Sequence, residues 1–250
     1  MPGYLAIMLR NLRVWRSHFL ASLVGNLGQP FLFLLAMGYG LGREIPPMDG
    51  LTYLQFIAPG LAASAVMYSA AFETTYGSYT RLSLQRTFEA ILCTPLMVRD
   101  IALGEIGWGA AKGMFAGLIM IACLPLFGVW PSGWIVILIP VLFVCGLFFA
   151  ALGLIMTALA DNYEFFNYFI SLVITPLFLF SGIFFPLDGL APTARTVFSI
   201  LPLTPVVSLS RMFCYGRFEE PVAFKLAGII IATLAATFLA EKLLSRRLIR

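Results

Sequence analysis

Histidine is nearly absent: His18 is the single imidazole in 250 residues. That removes most histidine-based catalysis and metal chemistry. Cysteine is almost as scarce. Cys93, Cys123, Cys145 and Cys214 make no CxxC pair, and Cys123 and Cys145 lie inside apolar runs. Neither a disulfide framework nor a metal site is indicated. Lysine occurs only at Lys112, Lys225 and Lys242, and none stands between a Gly and a Ser or Thr. The P-loop pattern GxxxxGK followed by Ser or Thr is therefore missing, and with it that route to ATP hydrolysis in this chain. A nucleophile elbow, a zincin helix and a Cys/His pair are missing as well, which argues against an enzyme. Charge is scarce throughout: 11% of residues are Asp, Glu, Lys or Arg, where soluble domains average about 25%.

Apolar residues fill the chain instead, at 60% of the total with a mean hydropathy of +0.94. A water-soluble domain cannot hide that much apolar surface, so the class is a polytopic membrane protein forming a single domain over 1–250. Six runs approach the ~20 apolar residues that cross a hydrocarbon core. They lie at 18–41, 54–78, 105–128, 135–160, 165–185 and 222–242. Such runs are too long for barrel strands, so the fold is expected to be all-α with six transmembrane helices.

Orientation follows from arginine and lysine. Arg10, Arg13 and Arg16 flank the first span, Arg81, Arg86 and Arg99 sit between the second and third, and Lys242, Arg246, Arg247 and Arg250 end the chain. With six spans all three groups share one side, which the positive-inside rule makes the cytoplasm, so both termini are expected there. Acidic Asp161 and Glu164 on that side, and Arg195, Arg211 and Arg217 on the other, weaken the bias. The net charge of +4 and pI of about 9.0 fit membrane flanks better than a nucleic-acid surface.

Residues 1–17 are not a span. Leu5, Met8, Leu12, Trp15 and Phe19 recur at helical spacing, with Arg10 and Arg13 off the stripe, which predicts an amphipathic helix in the membrane interface. Gly109, Gly113 and Gly117, and Gly38 and Gly42, repeat every four residues. Small residues at that spacing let helices approach closely, within one chain more readily than between two.

Glu73 and Lys112 fall inside the second and third spans. An unpaired charge there is costly, at least ~2.5–3.5 kcal/mol at mid-membrane. The two lie at similar depth and are expected to pair as an intramembrane ion pair; the open alternative has Lys112 snorkelling to lipid while Glu73 faces a wet cleft.

The stretch "FLFSGIFFPLDGLAPTARTVFSILPLTP", from Phe178 to Pro205, breaks repeatedly. Pro186 is expected to end the fifth span and Asp188–Gly189 to turn the chain. Residues 192–201 are apolar but too short to cross, with Pro202 and Pro205 ending the run. The segment 186–221 thus reads as a re-entrant hairpin on the outer face. In the loop 79–104, "LSLQRTFEAIL" reads as a helix over 82–92, with Arg86 and Glu89 at i, i+3 and Pro95 as its stop.

These blocks resemble the type-2 ABC exporter permeases, and among them the nodulation-factor exporter permeases. The carrying residues are Ser181, Gly182, Phe185, Pro186, Pro202, Leu203, Pro205 and Arg211 in one block. In the other they are Pro59-Gly60, Phe72-Glu73-Thr74, Arg86-Thr87 with Glu89, Thr94 and Gly104-Glu105. The proline of the hairpin turn is displaced to Pro192. The resemblance implies the type-2 permease fold and a location in a bacterial inner membrane. It implies two copies of this chain with two separate cytoplasmic ATPase subunits, which bind the ATP and Mg, so that no cofactor is held here. Coupling to the ATPase would run through the N-terminal helix and through Arg81, Arg86, Thr87, Glu89, Thr94 and Pro95. The outer hairpin, with Ser181, Gly182, Pro186, Pro192, Pro202 and Pro205, would gate a groove between the two copies. The cargo would be a lipid-linked saccharide, lipo-oligosaccharide or similar amphipathic molecule. Export of a small hydrophobic drug, and a membrane scaffold without transport, stay open as alternatives.

Overall fold

A computed structural model describes residues 2–249 other than Leu41, Arg43, Asp49, Glu219 and Glu220. All regular structure among them is helical, apart from an isolated bridge between Met48 and Leu51. The α-helices are α1 (Gly3–Ser17), α2 (Phe19–Leu35), α3 (Tyr53–Phe72), α4 (Thr87–Leu92), α5 (Val98–Cys123), α6 (Ile135–Leu159), α7 (Glu164–Phe169), α8 (Thr175–Phe180), α9 (Pro192–Ile200), α10 (Leu203–Tyr215) and α11 (Val222–Leu248). π-helical turns extend α2 (Ala36–Gly40) and α3 (Glu73–Gly77, then Thr80–Leu84) and join α7 to α8 (Ile170–Ile174).

The core sits on α3. A capping box starts it: Thr52 Oγ1 accepts from the Gln55 amide, and Gln55 Oε1 accepts from the Thr52 amide at 2.9 Å. Its apolar window is 89% buried, against 17% for α11. Helix α3 is therefore the axis of the bundle and α11 an outer wall. Helices α5 and α6 pack on α3 and on each other, α2 and α10 flank α3, and α11 covers α6. Close approach needs the small residues of α5. A Cβ on Gly113 would stand 2.9 Å from the Val66 carbonyl, and Gly109 and Gly117 face α3 as well. The four-residue glycine repeat thus serves packing within one chain.

Among the described residues, four segments are long and apolar enough to cross a membrane: Tyr53–Leu84, Val98–Phe127, Ile135–Leu159 and Val222–Leu248. A fifth is the pair α9–α10, if it counts as one span despite its 88° bend. Leu20, Val24, Leu32, Val136, Phe224, Ile231, Leu234 and Phe238 are all exposed on the outside of the bundle. That much bare apolar surface requires a lipid surround.

The boundaries differ from the sequence reading in three places. First, α5 begins at Val98 and the α3 rod runs to Leu84. The loop read over 79–104 is therefore largely helical, and both rods project beyond the lengths read from hydropathy. Second, the fifth segment stops being helical at Phe180, not at Pro186. Gly182 adopts φ +75°, a left-handed conformation that ends a helix at little cost only for glycine. Third, α9 ends at Ile200, ahead of Pro202, but a further helix follows within the segment read as a hairpin. Pro202 precedes α10 and Pro205 lies in its first turn, where a missing N–H costs nothing. The thirteen-residue α10 itself was not anticipated. Its signal was Val206, Leu209, Met212 and Phe213 at helical spacing, all buried.

Candidate functional site

A cluster of charged residues, Glu73, Arg81, Glu105 and Lys112, lies at one end of the bundle, where α1, the α3 rod and the start of α5 meet. Glu73 opens the first π turn. The Thr74 and Thr75 hydroxyls bond back to the Ala70 and Ala71 carbonyls at 3.0 and 2.7 Å, which competes with the α-ladder. Thr157 of α6 donates to the Thr74 and Thr75 carbonyls at 2.7 and 3.1 Å, so the groups facing α6 are satisfied. Wide turns of this kind recur at functional sites.

Arg81, on the second π turn, bridges two carboxylates. Its Nη2 lies 2.9 Å from Glu73 Oε1 and 2.6 Å from Glu105 Oε2, and its Nε donates to Glu105 Oε2 at 3.0 Å. Glu73 also accepts from Lys112 Nζ at 2.7 Å and from Trp108 Nε1 at 3.0 Å. Glu105 accepts from Ser78 Oγ at 2.7 Å and from Asn11 Nδ2 at 2.9 Å. One knot of hydrogen bonds therefore ties α1, the α3 rod and α5.

Burial makes these contacts matter. The Glu105 side chain is 0% exposed, and Glu73, Arg81 and Lys112 are 10, 14 and 13% exposed. A carboxylate taken from water is tolerated only when paired and fully hydrogen-bonded. Both carboxylates meet that condition, with every oxygen bonded. Helix α1 can reach the knot because Gly104 has no side chain. A Cβ there would stand 2.8 Å from the Ile7 side chain, in the seat that α1 occupies. Ile7 and Asn11 are accordingly the buried residues of α1. The apolar stripe read from sequence packs only in part: Met8 sits beside Gly107 and Trp15 contacts Trp108, while Leu12 is exposed.

The structure thus brings Glu73 and Lys112 together and joins to them Arg81, Glu105 and Asn11, with Trp108 and Ser78 as further donors, none of which charge spacing identifies as a site. The sequence places Arg81 in the coupling loop, yet its guanidinium is held in the knot at 14% exposure, because the α3 rod continues past the expected end of the span. Glu105 had been placed at the edge of a span. Asn11 has no charge to flag it; its signal is its place one turn after Ile7.

The loop helix is shorter than expected. Residues 82–92 are not one helix: Thr80–Leu84 is a π turn of the α3 rod, and α4 covers only Thr87–Leu92. Arg86 sits between them at φ +48°, so Arg86 and Glu89 are not an i, i+3 helical pair. Phe88 is fully buried and pins α4 to the bundle. Arg86, Glu89, Thr94 and Pro95 are exposed and Thr87 is partly so, beside exposed Leu84 and Met97. The Thr94 hydroxyl donates to the Ile91 carbonyl at 2.6 Å and closes α4 ahead of Pro95.

At the other end, Ser181, Gly182, Pro186, Pro202 and Pro205 line one cavity of about 560 Å³ with Arg211 and Lys225. Pro192 is not among them; it opens α9. Arg211 donates to the Phe56 and Gly182 carbonyls at 3.3 and 3.0 Å and lies over the Phe56 ring at 3.7 Å. It anchors α10 and the bend at Gly182 to α3. Asp188 and Arg195 pair at 2.6 Å on the exposed rim.

The family model described as ABC-2 type transporter matches residues 3–215. Nodulation protein J of Rhizobium leguminosarum bv. trifolii is 37% identical over 100% of this chain and 97% of its own. Nodulation protein J of Sinorhizobium fredii (strain NBRC 101917 / NGR234) is 36% identical over 99% of this chain and 94% of its own. The inner membrane transport permease YadH of Escherichia coli (strain K12) is 26% identical over 95% and 91%. The family model over residues 3–215 and the 36–37% identity over nearly the whole chain place it in the ABC-2 type transporter family, as a multi-pass membrane permease.

Proposed function

We propose that this chain is the membrane half of an ATP-driven exporter. Two copies form a groove, and two separate ATPase subunits dock beneath. All six apolar segments cross, including α2 with its π turn and the α7–α8 segment. Both termini lie in the cytoplasm, in the inner membrane of a bacterium. Helix α1 lies in the membrane interface, and α9 with the bend into α10 forms a re-entrant cap on the outer side. The cargo is a lipo-oligosaccharide, lipid-linked saccharide or similar amphipathic molecule. The resemblance to the nodulation-factor exporter permeases favours that class over a small drug.

One observation carries the reading: the Asn11–Glu105–Arg81–Glu73–Lys112 knot. It joins the α3 rod and α5, on which α4 packs, to α1. A push on α4 is passed to Phe88 and the two rods rather than absorbed by a loose loop. The test is co-expression with the P-loop ATPase encoded nearest the gene. A stable complex is expected, with ATP hydrolysis stimulated in proteoliposomes and lost on Glu89→Arg. A permease that purifies without any ATPase and leaves hydrolysis unchanged would sink the proposal and favour a scaffold.

A further inference from the structure

A second cavity, of about 620 Å³, lies against the knot and is lined by Arg10, Trp15, Arg81, Trp108 and Lys112 among others. Its charges do not balance. Three cations line it, and Glu73 is the one carboxylate on its wall. Both nearby carboxylates are already committed. Glu73 is taken by Arg81, Lys112 and Trp108, and Glu105 by Arg81, Ser78 and Asn11. Arg10 is left over. Its Nη2 donates to the neutral Asn11 Oδ1 at 2.8 Å, and its Nη1 is buried with no partner. It enters none of the ion pairs found among the described residues. Burial lowers the Arg10 pKa; the field of Glu105 raises it and that of Arg81 lowers it again. A half-buried guanidinium in this state lacks an anion.

The geometry points to an oxyanion site in this cavity that takes a phosphate group, with Arg10 and Lys112 as its cations and the neighbouring hydroxyls and indoles as its wall. Guanidinium groups favour such planar, charge-assisted contacts. The volume is many times the ~30 Å³ share of one water, so it admits a phosphate with the group it is esterified to. The site opens where α1 meets the bundle, so a phospholipid headgroup and a free phosphate are two sources of the same chemistry. An occupied site would fasten α1 to α5 through an anion as well as through Asn11. The inference is independent of the identity of the cargo.

The native tryptophans provide the probe. Trp15 and Trp108 line the cavity, and the other two, Trp130 and Trp134, are removed as W130F and W134F. The full-length permease in maltoside micelles is titrated with phosphatidylglycerol, with inorganic phosphate, or with potassium chloride at matched ionic strength. Phospholipid retained on the protein is counted in parallel by native mass spectrometry. A saturable change in tryptophan emission with phosphate compounds but not chloride is expected. A response to the lipid alone assigns a headgroup, and a response to both assigns a phosphate pocket. Arg10→Gln should weaken it roughly tenfold or more, the loss of one charge-assisted hydrogen bond, while Arg10→Lys keeps most of it. Val14 also lines the cavity and is 60% exposed. Val14→Glu adds a carboxylate there without cutting a buried bond and should abolish binding in a folded protein. No saturable response together with no retained phospholipid overturns the inference, as does parent-like binding by both Arg10→Gln and Val14→Glu.

Discussion

Replacing Arg81 with methionine tests the knot most sharply. The guanidinium makes three contacts of 2.6–3.0 Å to two carboxylates. Without it Glu73 keeps Lys112 and Trp108. Glu105, 0% exposed, keeps only the neutral donors Asn11 and Ser78. Leaving a buried charge unpaired typically costs about 3–5 kcal/mol. For a chain of this size each kcal/mol moves the melting point roughly 2–4 °C, so a fall of about 6–20 °C is expected. The reasoning makes a second demand. Glu105→Gln removes the stranded charge, so the double variant Arg81→Met/Glu105→Gln should be more stable than Arg81→Met alone. Lys112→Met should cost less than Arg81→Met, because Glu73 retains Arg81. The assay is thermal unfolding in detergent, read as loss of the monodisperse size-exclusion peak. A fall of under 2 °C for Arg81→Met, or strictly additive losses in the double variant, would refute the assignment of Arg81 as the bridge.

Other outcomes are open to direct checks. Gly104→Leu places a side chain where Ile7 sits; it should raise hydrogen exchange over residues 3–17 at least tenfold while leaving α6 and α11 unchanged. Glu89→Arg should cut stimulated ATP hydrolysis without altering membrane insertion or melting point, since Glu89 is exposed. Gly182→Val forces a β-branched residue to φ +75°; a melting-point loss equivalent to about 1–2 kcal/mol or more is expected. Deleting residues 190–201 should spare the ATPase complex but make vesicles leaky or export-deficient, as measured by cargo flux.

Composition and hydropathy made the class legible as lipid-bathed helices, and charge in two spans pointed to Glu73 and Lys112, which lie 2.7 Å apart. The sequence reading stopped where backbone geometry decides. Hydropathy ended the second span near residue 78, because Arg81 looks like a membrane flank. In fact its charge is neutralised inside the bundle, and the rod continues to Leu84. Pro186 looked like the helix stop because proline removes a donor, but the φ of Gly182 stops the helix earlier. No propensity scale marks a glycine that is about to turn left-handed. Asn11 was invisible for another reason: its role exists only once Gly104 lets α1 settle on α5.

The central claim is that the segment around α4 is where a separate ATPase drives this permease. Cys93, exposed at the end of α4, is a native handle there, while Cys145 and Cys214 are buried. A benzophenone attached to Cys93 in membranes co-expressing the ATPase should give, on irradiation, one adduct of the mass of permease plus ATPase. The same label at W130C in a Cys93→Ser/Cys123→Ser background, on the opposite end of the bundle, should give none. An ATPase adduct from W130C with none from Cys93 would contradict the account.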